Sequence, residues 1–523
     1  MKTAFLLTAV LSTAVSSAAV VSAAAQDTTA GHVVYTKWCA GCHGDQGDGK
    51  GPGGAYMLPR PRDFTGAVYK IRTTASGQLP TDADLMHAID EGLPGSAMPA
   101  WKARLSETDR KNVMAYIKTF SAFFSDTSQH VVALKFSSPP SGGGDAVKIG
   151  RQFYDSIHCN KCHGAEGRGD GPSAWDLKDD PGAPIFAADL HQSWRFRGGP
   201  SVEEIYRRLR TGLDGTPMPS FSDLIDQKFL TDEQLWHLAQ YVRSLSPEKP
   251  PEVRDVIHAH QVTGELPTNP NDSAWNKADS YYFPLVGQVI RKVRWFDPAV
   301  SAVWVQALHN GKSIAVRLVW DDRTQSPDTL WLKFMRRQNQ VLATDDTVTP
   351  ALWPDQIAMQ FPVKIPTGTD RPYFLMGTGS DPVYQWRWTS QPRRAISGTA
   401  RGIDRFDTLA TGPGGKDAPV SSQAVYDHGQ WRVVLSRSLA TSDSTHELQF
   451  SIGRAIPVAF FAWDGSNGEH DSRMAVSTWY FLALDQPTPP GTFISPVIAM
   501  AVTLGLGMLV IARAQRRKNS ANA

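Results

Sequence analysis

Hydrophobic residues follow two different periods along the chain. In the first half, apolar side chains recur three or four positions apart after starts rich in hydroxyl and acidic residues, which predicts amphipathic helices. One such helix begins at Ser106 and another at Thr231. Their apolar positions are Val113, Tyr116, Ile117 and Phe120 in the first, and Leu235, Leu238, Tyr241, Val242 and Leu245 in the second.

Between residues 252 and 485 the pattern changes to an alternation of apolar and polar positions, which predicts β-strands with a buried face. The clearest strand places Ile314, Val316, Leu318 and Trp320 on one side. Residues 431–435 and 457–463 are also strand-like, and turn sequences such as Asn310-Gly311 separate these segments. The region is therefore predicted to form a β-sandwich.

Apolar runs lie near both ends. Residues 1–25 combine Lys2, an apolar run and a small-residue end, which favours a cleaved secretory signal peptide over an N-terminal anchor. Residues 492–512 are long and apolar enough for a transmembrane helix, with a buried soluble helix as the alternative. The basic tail, 513–523, is expected in the cytoplasm. The body would then lie on the periplasmic side of a bacterial inner membrane, with one C-terminal anchor.

Chain length and net charge limit the possible architectures and partners. A chain of 523 residues is too long for one hydrophobic core, so several domains are expected. The boundaries suggested by the patterns are 26–130, 145–250 and 252–485. The net charge is +2, and no basic run with interleaved aromatic residues occurs, so composition gives no case for nucleic-acid binding.

An internal repeat carries the candidate chemistry. The first segment has Cys39-Ala-Gly-Cys42-His43, a glycine-rich stretch ending at Pro52, and then Met98. The second has Cys159-Asn-Lys-Cys162-His163, a matching stretch ending at Pro172, and then Met218. The separation between histidine and methionine is the same in both segments. A glycine and a tyrosine precede each motif with the same spacing, at Gly31 and Tyr35 and at Gly150 and Tyr154.

Each part of the repeat fits a covalently attached haem. Two thiols three positions apart can form thioethers with the two vinyl groups, and the adjacent histidine can bind the iron. A methionine from a distant loop can bind the opposite face, and His/Met ligation raises the reduction potential. Cys39, Cys42, Cys159 and Cys162 are therefore predicted to hold two c-type haems. The predicted iron ligands are His43, Met98, His163 and Met218.

The same residues have other possible uses. Paired cysteines also build zinc sites and redox-active disulfides, and either methionine could be a core residue. The histidine after each pair and the repeated methionine favour haem. Residues of about 31–125 and 148–247 each resemble a class I c-type cytochrome, which implies two all-α cytochrome c domains before the sandwich.

Phrases in the third region resemble the haem b-binding γ subunit of ethylbenzene dehydrogenase and its relatives in the dimethyl sulfoxide reductase group. They include Arg317-Leu-Val-Trp-Asp-Asp322, Asp355-Gln-Ile-Ala-Met-Gln-Phe-Pro362, Pro372-Tyr-Phe-Leu-Met-Gly377 and Trp463-Asp-Gly465. The resemblance implies one non-covalent haem b held between a methionine and a lysine. Met376 is the preferred methionine, with Met359 as its competitor.

The family's lysine has no counterpart in this chain. At the matching place the sequence reads Arg473-Met474-Ala475-Val476. Arg473 stays protonated and offers no lone pair, whereas Met474 offers a thioether. The hypothesis is therefore Met376/Met474 ligation of haem b. The alternative is that both are core methionines, with His258, His260 and His309 as fallback ligands.

The resemblance implies a membrane-anchored electron-transfer subunit without catalytic residues. Its expected partners are the catalytic and iron–sulfur subunits of a molybdopterin oxidoreductase, of nitrate reductase or nitrite oxidoreductase type, and a soluble cytochrome c or terminal oxidase. Two other hypotheses stay open. The sandwich could be a ligand-binding module beside a dihaem cytochrome, or the chain could be a dihaem enzyme such as a peroxidase.

Overall fold

The computed structural model describes residues 27–126, 128–140, 144–329, 352–368, 370–408, 420–486 and 491–521. The predicted signal peptide lies outside the described residues. Within these ranges, short helices come first, strands follow, and one long helix comes last. The predicted fold class is confirmed.

The helices before residue 250 form two similar units. The first helical unit contains α1 (Thr28–Trp38), α2 (Ala40–His43), α3 (Asp82–Glu91) and α4 (Glu107–Lys118). The second helical unit contains α5 (Gly144–Ser156), α6 (Asn160–His163), α7 (Val202–Thr211), α8 (Ser222–Asp226) and α9 (Asp232–Ser244). The predicted starts are confirmed, because the hydroxyls of Ser106 and Thr231 accept hydrogen bonds from backbone N–H groups at the starts of α4 and α9.

A glycine in each unit lets two helices approach closely. A Cβ atom at Gly31 of α1 would lie 2.1 Å from the carbonyl oxygen of Asn112 in α4. A Cβ at Gly150 of α5 would lie 2.1 Å from the carbonyl oxygen of His237 in α9. Any side chain at either position would push the helices apart. The repeated glycine therefore fixes the packing of the helix that leads into each cysteine motif.

Two layers of strands form the region that follows, here called the sandwich domain. Its strands are β1 (Val256–Gln261), β2 (Tyr281–Pro284), β3 (Val286–Gly287), β4 (Ala302–His309), β5 (Ser313–Asp321), β6 (Gln356–Pro362), β7 (Val383–Ser390), β8 (Arg393–Ala400), β9 (Phe406–Thr408), β10 (Ser421–Asp427), β11 (Gln430–Ser438), β12 (Ala455–Trp463), β13 (Ala475–Val476) and β14 (Tyr480–Leu484). The first layer has the order β10-β11-β5-β4-β1-β14, and the second has β6-β7-β8-β9.

Strand β12 belongs to both layers. Its first half, Ala455 to Val458, pairs with β14 of the first layer, and Ala459 to Trp463 pairs with β6 of the second. Apolar side chains from both layers share one buried core. Because side chains alternate along a strand, the second layer also presents an outer face, and this face carries a separate apolar cluster.

The chain continues into α10 (Gly491–Ala521). The most apolar 18-residue stretch of Pro496–Ala521 has a mean hydropathy of 2.1, and none of this stretch is buried against the rest of the protein. Val497 and Leu504 are both 59% exposed, for example. Within the described residues, α10 is the one helix long and apolar enough to cross a membrane. It covers the predicted span, 492–512.

Candidate haem centres

The cysteine motifs occupy equivalent positions in the two helical units. Each motif forms a one-turn helix, α2 or α6, directly after a longer helix. The Tyr35 hydroxyl donates a 2.7 Å hydrogen bond to the carbonyl oxygen of Gly44, and the Tyr154 hydroxyl donates a 2.6 Å bond to that of Gly164. The repeated tyrosine therefore ties the long helix to the end of each motif. This role explains its fixed spacing from the cysteines.

The glycine-rich stretch closes back over each motif. A Cβ atom at Gly51 would lie 2.5 Å from the carbonyl oxygen of Ala40, and one at Gly171 would lie 2.3 Å from that of Lys161. The absence of a side chain lets the following loop touch the motif backbone. Each loop then brings in the carbonyl group that holds the histidine.

Both motif histidines are held by one ring nitrogen. The Nδ1 atom of His43 lies 3.0 Å from the carbonyl oxygen of Arg62, and that of His163 lies 3.0 Å from the carbonyl oxygen of Ala188. A carbonyl oxygen only accepts, so Nδ1 carries the proton and donates it. The Nε2 lone pair is then available for a metal, which is the usual arrangement of a ligating histidine. Burial also lowers the pKa of both rings and favours their neutral form.

The loops of residues 93–98 and 213–218, here called the methionine loops, have the same hydrogen bonds. The backbone N–H of Leu93 donates to the carbonyl oxygen of Met98 at 3.1 Å, and Leu213 donates to Met218 at 3.0 Å. The N–H of Met98 donates to the Ser96 hydroxyl at 3.2 Å, and that of Met218 to the Thr216 hydroxyl at 3.3 Å. Two loops of different sequence thus share one conformation. The structure keeps both methionines partly buried, at equivalent places.

The cysteine environment fits thioethers better than thiolates. All four cysteines are free of disulfides. Burial raises the pKa of the Cys39 and Cys159 thiols to about 12. Zinc requires ionised thiols, whereas a thioether carries no charge to bury. Among the described residues, the cysteines belong to no group of three or more metal-binding side chains. The lack of further metal-binding side chains around each cysteine pair disfavours the zinc alternative among the described residues.

Met376 and Met474 lie together in the outer apolar cluster of the sandwich domain. Their side chains are 1% and 0% exposed. The other buried members of this cluster are Ala358, Leu375, Val383, Ala400, Ala459, Phe461, Trp463 and Val476. The two candidate thioether ligands therefore belong to one apolar cluster. Met359 lies instead in the core between the two layers.

The backbone at Met376 is strained. Its φ angle is +63°, a conformation that is rare for residues with a side chain. The N–H of Gly402 donates to the Met376 carbonyl oxygen at 2.8 Å and helps hold this turn. Strain of this kind persists where the surroundings impose it, and it is frequent at ligand sites. The turn therefore favours Met376 over Met359 as a ligand.

A cation approaches the Met376 sulfur. The Nη2 atom of Arg387 lies 3.4 Å from Sδ of Met376, and its guanidinium lies 3.8 Å from the ring centre of Phe406. The Nε atom donates a 2.7 Å hydrogen bond to the Gln385 side chain. No local motif in the sequence marks Arg387 as a site residue. Tyr384, Trp386 and Trp388 alternate along β7, and this alternation predicts that Arg387 points to the outer face. It does not predict that Arg387 lies beside Met376.

Comparisons with known proteins agree with this division of the chain. Residues 26–117 match the family of cbb3-type cytochrome c oxidase subunit III, and residues 147–246 match the cytochrome c family. Cytochrome c-554(547) of Halothiobacillus neapolitanus is 36% identical over 96 residues, which cover 18% of this chain and 98% of that protein. The chain belongs to the c-type cytochromes. As a member of this family, the cytochrome carries covalent haem c.

The sandwich domain of the cytochrome has its own relatives. Residues 272–400 and 404–475 match the ethylbenzene dehydrogenase family. A proposed haem subunit of respiratory nitrate reductase from Haloferax mediterranei is 27% identical over 48% of the cytochrome and 82% of that protein. The γ subunit of chlorate reductase from Ideonella dechloratans is 27% identical over 44% of the cytochrome and 86% of that protein. The resemblances to c-type cytochromes and to the ethylbenzene dehydrogenase family are both confirmed.

The three histidines considered as fallback haem ligands all contact Asp485. The Nδ1 atoms of His258 and His260 lie 2.9 and 2.7 Å from the two carboxylate oxygens of Asp485. The Nε2 atom of His309 lies 3.0 Å from the backbone oxygen of the same residue. None of the three histidines belongs to the outer apolar cluster with Met376 and Met474. Arg473 donates from Nη1 to the His470 ring at 2.9 Å.

Three buried carboxylates of the sandwich domain also lie close together. Oxygens of Asp322, Asp355 and Asp464 are within 4.8 Å of one another. Asp355 accepts hydrogen bonds from Gly465 N, Ser326 N and Trp431 Nε1, between 2.7 and 3.0 Å. Burial, reinforced by repulsion from Asp464, raises the pKa of Asp355 to about 7. All three carboxylates stand in phrases that carry the family resemblance, but their meeting in one network is visible only in the structure.

The second helical unit contacts the sandwich domain close to the loop whose Ala188 carbonyl holds His163. Nη1 of Arg168 lies 2.5 Å from Oδ1 of Asp321, and the Gln192 side chain donates to Oδ2 of the same carboxylate at 3.3 Å. The first helical unit touches the domain through Tyr56 and Phe296, whose ring centres are 4.9 Å apart. Both helical units of the cytochrome therefore contact the sandwich domain.

Proposed function

We propose that this c-type cytochrome carries two covalent haems and one non-covalent haem and transfers electrons for a molybdopterin oxidoreductase. Cys39, Cys42, Cys159 and Cys162 would form the thioethers. The iron ligands would be His43 with Met98, His163 with Met218, and Met376 with Met474. Bound haem supplies reversible one-electron chemistry. The protein side chains hold each iron and exclude water.

The repeated histidine geometry carries the proposal. In both units a backbone carbonyl fixes the proton on Nδ1 and leaves Nε2 for iron. In both units a methionine loop of the same conformation supplies the opposite ligand candidate. With both axial positions taken by protein, these haems would exchange electrons and would not bind a substrate at iron. This supports an electron carrier and argues against a peroxidase.

The relatives suggest which enzyme the cytochrome serves. One is named as the γ subunit of chlorate reductase, and another is a proposed haem subunit of nitrate reductase. We infer a partner complex of the same class, with a molybdopterin catalytic subunit and an iron–sulfur subunit, of nitrate reductase or nitrite oxidoreductase type. A soluble cytochrome c or terminal oxidase would exchange electrons at the other end. The sandwich domain would then face the iron–sulfur subunit.

The same proposal places the cytochrome at a membrane. After removal of residues 1–25, α10 would anchor the chain, the tail 513–523 would lie in the cytoplasm, and the haem units would lie on the periplasmic side. The exposed apolar surface of α10 supports the anchor, because apolar side chains in contact with water are unfavourable. The boundaries 26–130, 145–250 and 252–485 remain part of this proposal.

Purification from the native membrane in mild detergent tests the function. We expect molybdenum and an iron–sulfur protein to co-purify with two covalent haems and one extractable haem per chain. The matched variants Cys42→Ala and Cys162→Ala should each weaken covalent attachment of one haem only. If the chain purifies without extractable haem, the sandwich domain is a binding module beside a dihaem cytochrome. A preparation without a molybdenum partner would contradict the proposed complex.

A further inference from the structure

Two buried glutamines hold the turn that presents Met376. Gln360 of β6 and Gln385 of β7 face each other across the two strands, and both side chains are fully buried. Gln360 Nε2 donates to the Phe374 carbonyl oxygen at 2.8 Å, and Gln385 Nε2 donates to Gln360 Oε1 at 2.9 Å. These bonds fix the orientation of both amides, so Oε1 of Gln385 accepts from Arg387.

Arg387 closes this chain of hydrogen bonds at the methionine. Its Nε donates to Gln385 at 2.7 Å, and its Nη2 donates to Sδ of Met376 at 3.4 Å. Side chains two positions apart share one face of a strand, so Gln385 and Arg387 both lie on the outer face of β7. The hydrogen bonds thus begin at the Phe374 backbone and end on the sulfur two residues later. One cation is therefore fixed beside one thioether by the turn that carries it.

An aromatic ring covers the guanidinium of Arg387. The guanidinium lies 3.8 Å from the ring centre of Phe406, within the range of a cation–π contact. A glycine of β8 makes room for this ring. A Cβ atom at Gly398, which pairs with Gln385, would lie 2.4 Å from Cζ of Phe406. The glycine therefore allows the ring to shield the arginine from water.

The charge of Arg387 has no carboxylate close to it among the described residues. It forms no ion pair there, and Asp471, which attracts it from a longer distance, has a side chain that is 88% exposed. Burial lowers the pKa of Arg387 to about 10, so the guanidinium stays charged at neutral pH. A charge shielded from water acts more strongly on its neighbours than one in water. Met376 is a neighbour that this charge contacts directly.

We propose that Arg387 is a positioning residue that acts through Met376 and raises the reduction potential of the non-covalent haem. The inference rests on the proposed function, because it needs haem b bound through Met376. The sulfur would share its lone pairs between iron and the arginine N–H, and would donate less electron density to iron. This loss and the nearby positive charge both favour Fe(II), which carries one electron more than Fe(III). Hydrogen bonds to a haem ligand and the polarity around it are established determinants of haem potentials.

Arg387→Gln in the full-length cytochrome tests the proposal, because it removes the charge and keeps a polar side chain. We expect the midpoint potential of the extractable haem to fall in a spectroscopic redox titration. The expected change is about tenfold in the one-electron equilibrium constant, or about 59 mV. The amount of extractable haem per chain should stay at the parent value, which separates this effect from loss of the Met376 ligand. Arg394→Gln is the matched control, since it removes an exposed arginine from the neighbouring strand β8.

A second variant decides the matter if Arg387→Gln does not retain its haem. Phe406→Leu keeps both the arginine and the methionine but lets water reach the guanidinium. The potential should fall in the same direction by a smaller amount, because water weakens the effect of the charge.

Failure of the proposed function and failure of this inference give different results. If the parent protein yields no extractable haem, the proposed haem b site fails. If the haem is present and its potential stays at the parent value in Arg387→Gln, the role of Arg387 is wrong. The same holds for Phe406→Leu where the first variant loses its haem. An equal fall in Arg394→Gln would show a general effect of net charge and would also overturn the inference.

Discussion

Arg72 of the first helical unit forms a buried ion pair with Asp214 of the second. Nη2 of Arg72 lies 2.7 Å from Oδ1 of Asp214, and the arginine side chain is fully buried. The same Nη2 donates to the carbonyl oxygen of Thr211 at 2.6 Å. Asp214 stands shortly before Met218, so the pair ties the methionine loop of one unit to the body of the other.

Removal of this arginine should loosen the interface. Arg72→Gln leaves the Asp214 carboxylate with only its bonds to Ser76 and Gly77. We expect a loss of about 3–5 kcal/mol in the free energy of unfolding, because Asp214 loses its charged partner in a buried ion pair. Chemical unfolding followed by haem absorbance would measure it. The exposed pair of Lys102 and Glu91 is the control, and Lys102→Gln should cost no more than about 1 kcal/mol. Equal effects of the two substitutions would contradict this view of the interface.

Loss of either Met98 or Met218 should free one axial position on one haem iron. Met98→Ala and Met218→Ala each remove a proposed thioether ligand, so we expect carbon monoxide to bind one reduced haem in each variant. The potential of that haem should fall, because thioether ligation raises it. Spectroscopic titration with carbon monoxide measures the fraction of haem opened.

Met114 provides the control for this pair of variants. It is a core methionine of the first unit and is 2% exposed. Met114→Ala should cost about 2–5 kcal/mol of stability through the cavity it leaves, without opening either haem. Carbon monoxide binding by Met114→Ala at the level of Met98→Ala would show that loosened packing, and not ligand loss, exposes the iron.

The haem motifs and most regular elements could be predicted because their signals are local. Helix starts at Ser106 and Thr231, strand periodicity and the cysteine spacing all lie within short windows. The Arg72–Asp214 pair has no such signal, because the two residues are far apart in sequence and neither belongs to a pattern. The parallel pairing of β1 with β14 is likewise hidden, since Val256 pairs with Phe481 across almost the whole domain.

The choice between Met359 and Met376 shows a second limit of prediction from the sequence. Both lie in apolar segments, and sequence alone does not tell which face of the second layer each one reaches. In β6, Ile357, Met359 and Phe361 point into the core between the layers, and Ala358 points to the outer cluster. Burial on both faces of one strand removes the polar alternation that would have marked the difference.

These positions predict different effects on the non-covalent haem. Met376→Ala and Met474→Ala should each reduce the haem that acid–ketone extraction recovers from the purified protein. Met359→Ala should destabilise the sandwich domain by about 2–5 kcal/mol, because it empties core volume, yet keep its haem. Haem loss in Met359→Ala with full retention in Met474→Ala would reverse the ligand proposal. Covalent haem measured in the same samples corrects for the amount of protein.

A histidine of strand β1 should make the stability of the protein depend on pH. The side chain of His260 lies between two carboxylates, with Nδ1 2.7 Å from Asp485 and Nε2 3.2 Å from Asp279. Burial opposes the charged ring, but these hydrogen bonds outweigh it and raise the pKa of His260. Asp485 directly follows β14 and His260 lies in β1, so this contact ties the end of β14 to the neighbouring strand.

The sign of the effect follows from that raised pKa. A histidine whose pKa is higher in the folded state stabilises the fold fully below its unfolded value, about 6.5, and loses this contribution as pH rises through the folded value. The stability difference between the parent and His260→Gln should therefore be larger at about pH 6 than at about pH 8. Thermal unfolding of both proteins at the two pH values measures it. The matched control is His87→Gln, at an exposed position of α3. A difference for His260→Gln that stays constant or grows toward high pH would show that the two carboxylates do not favour the charged ring in the folded protein.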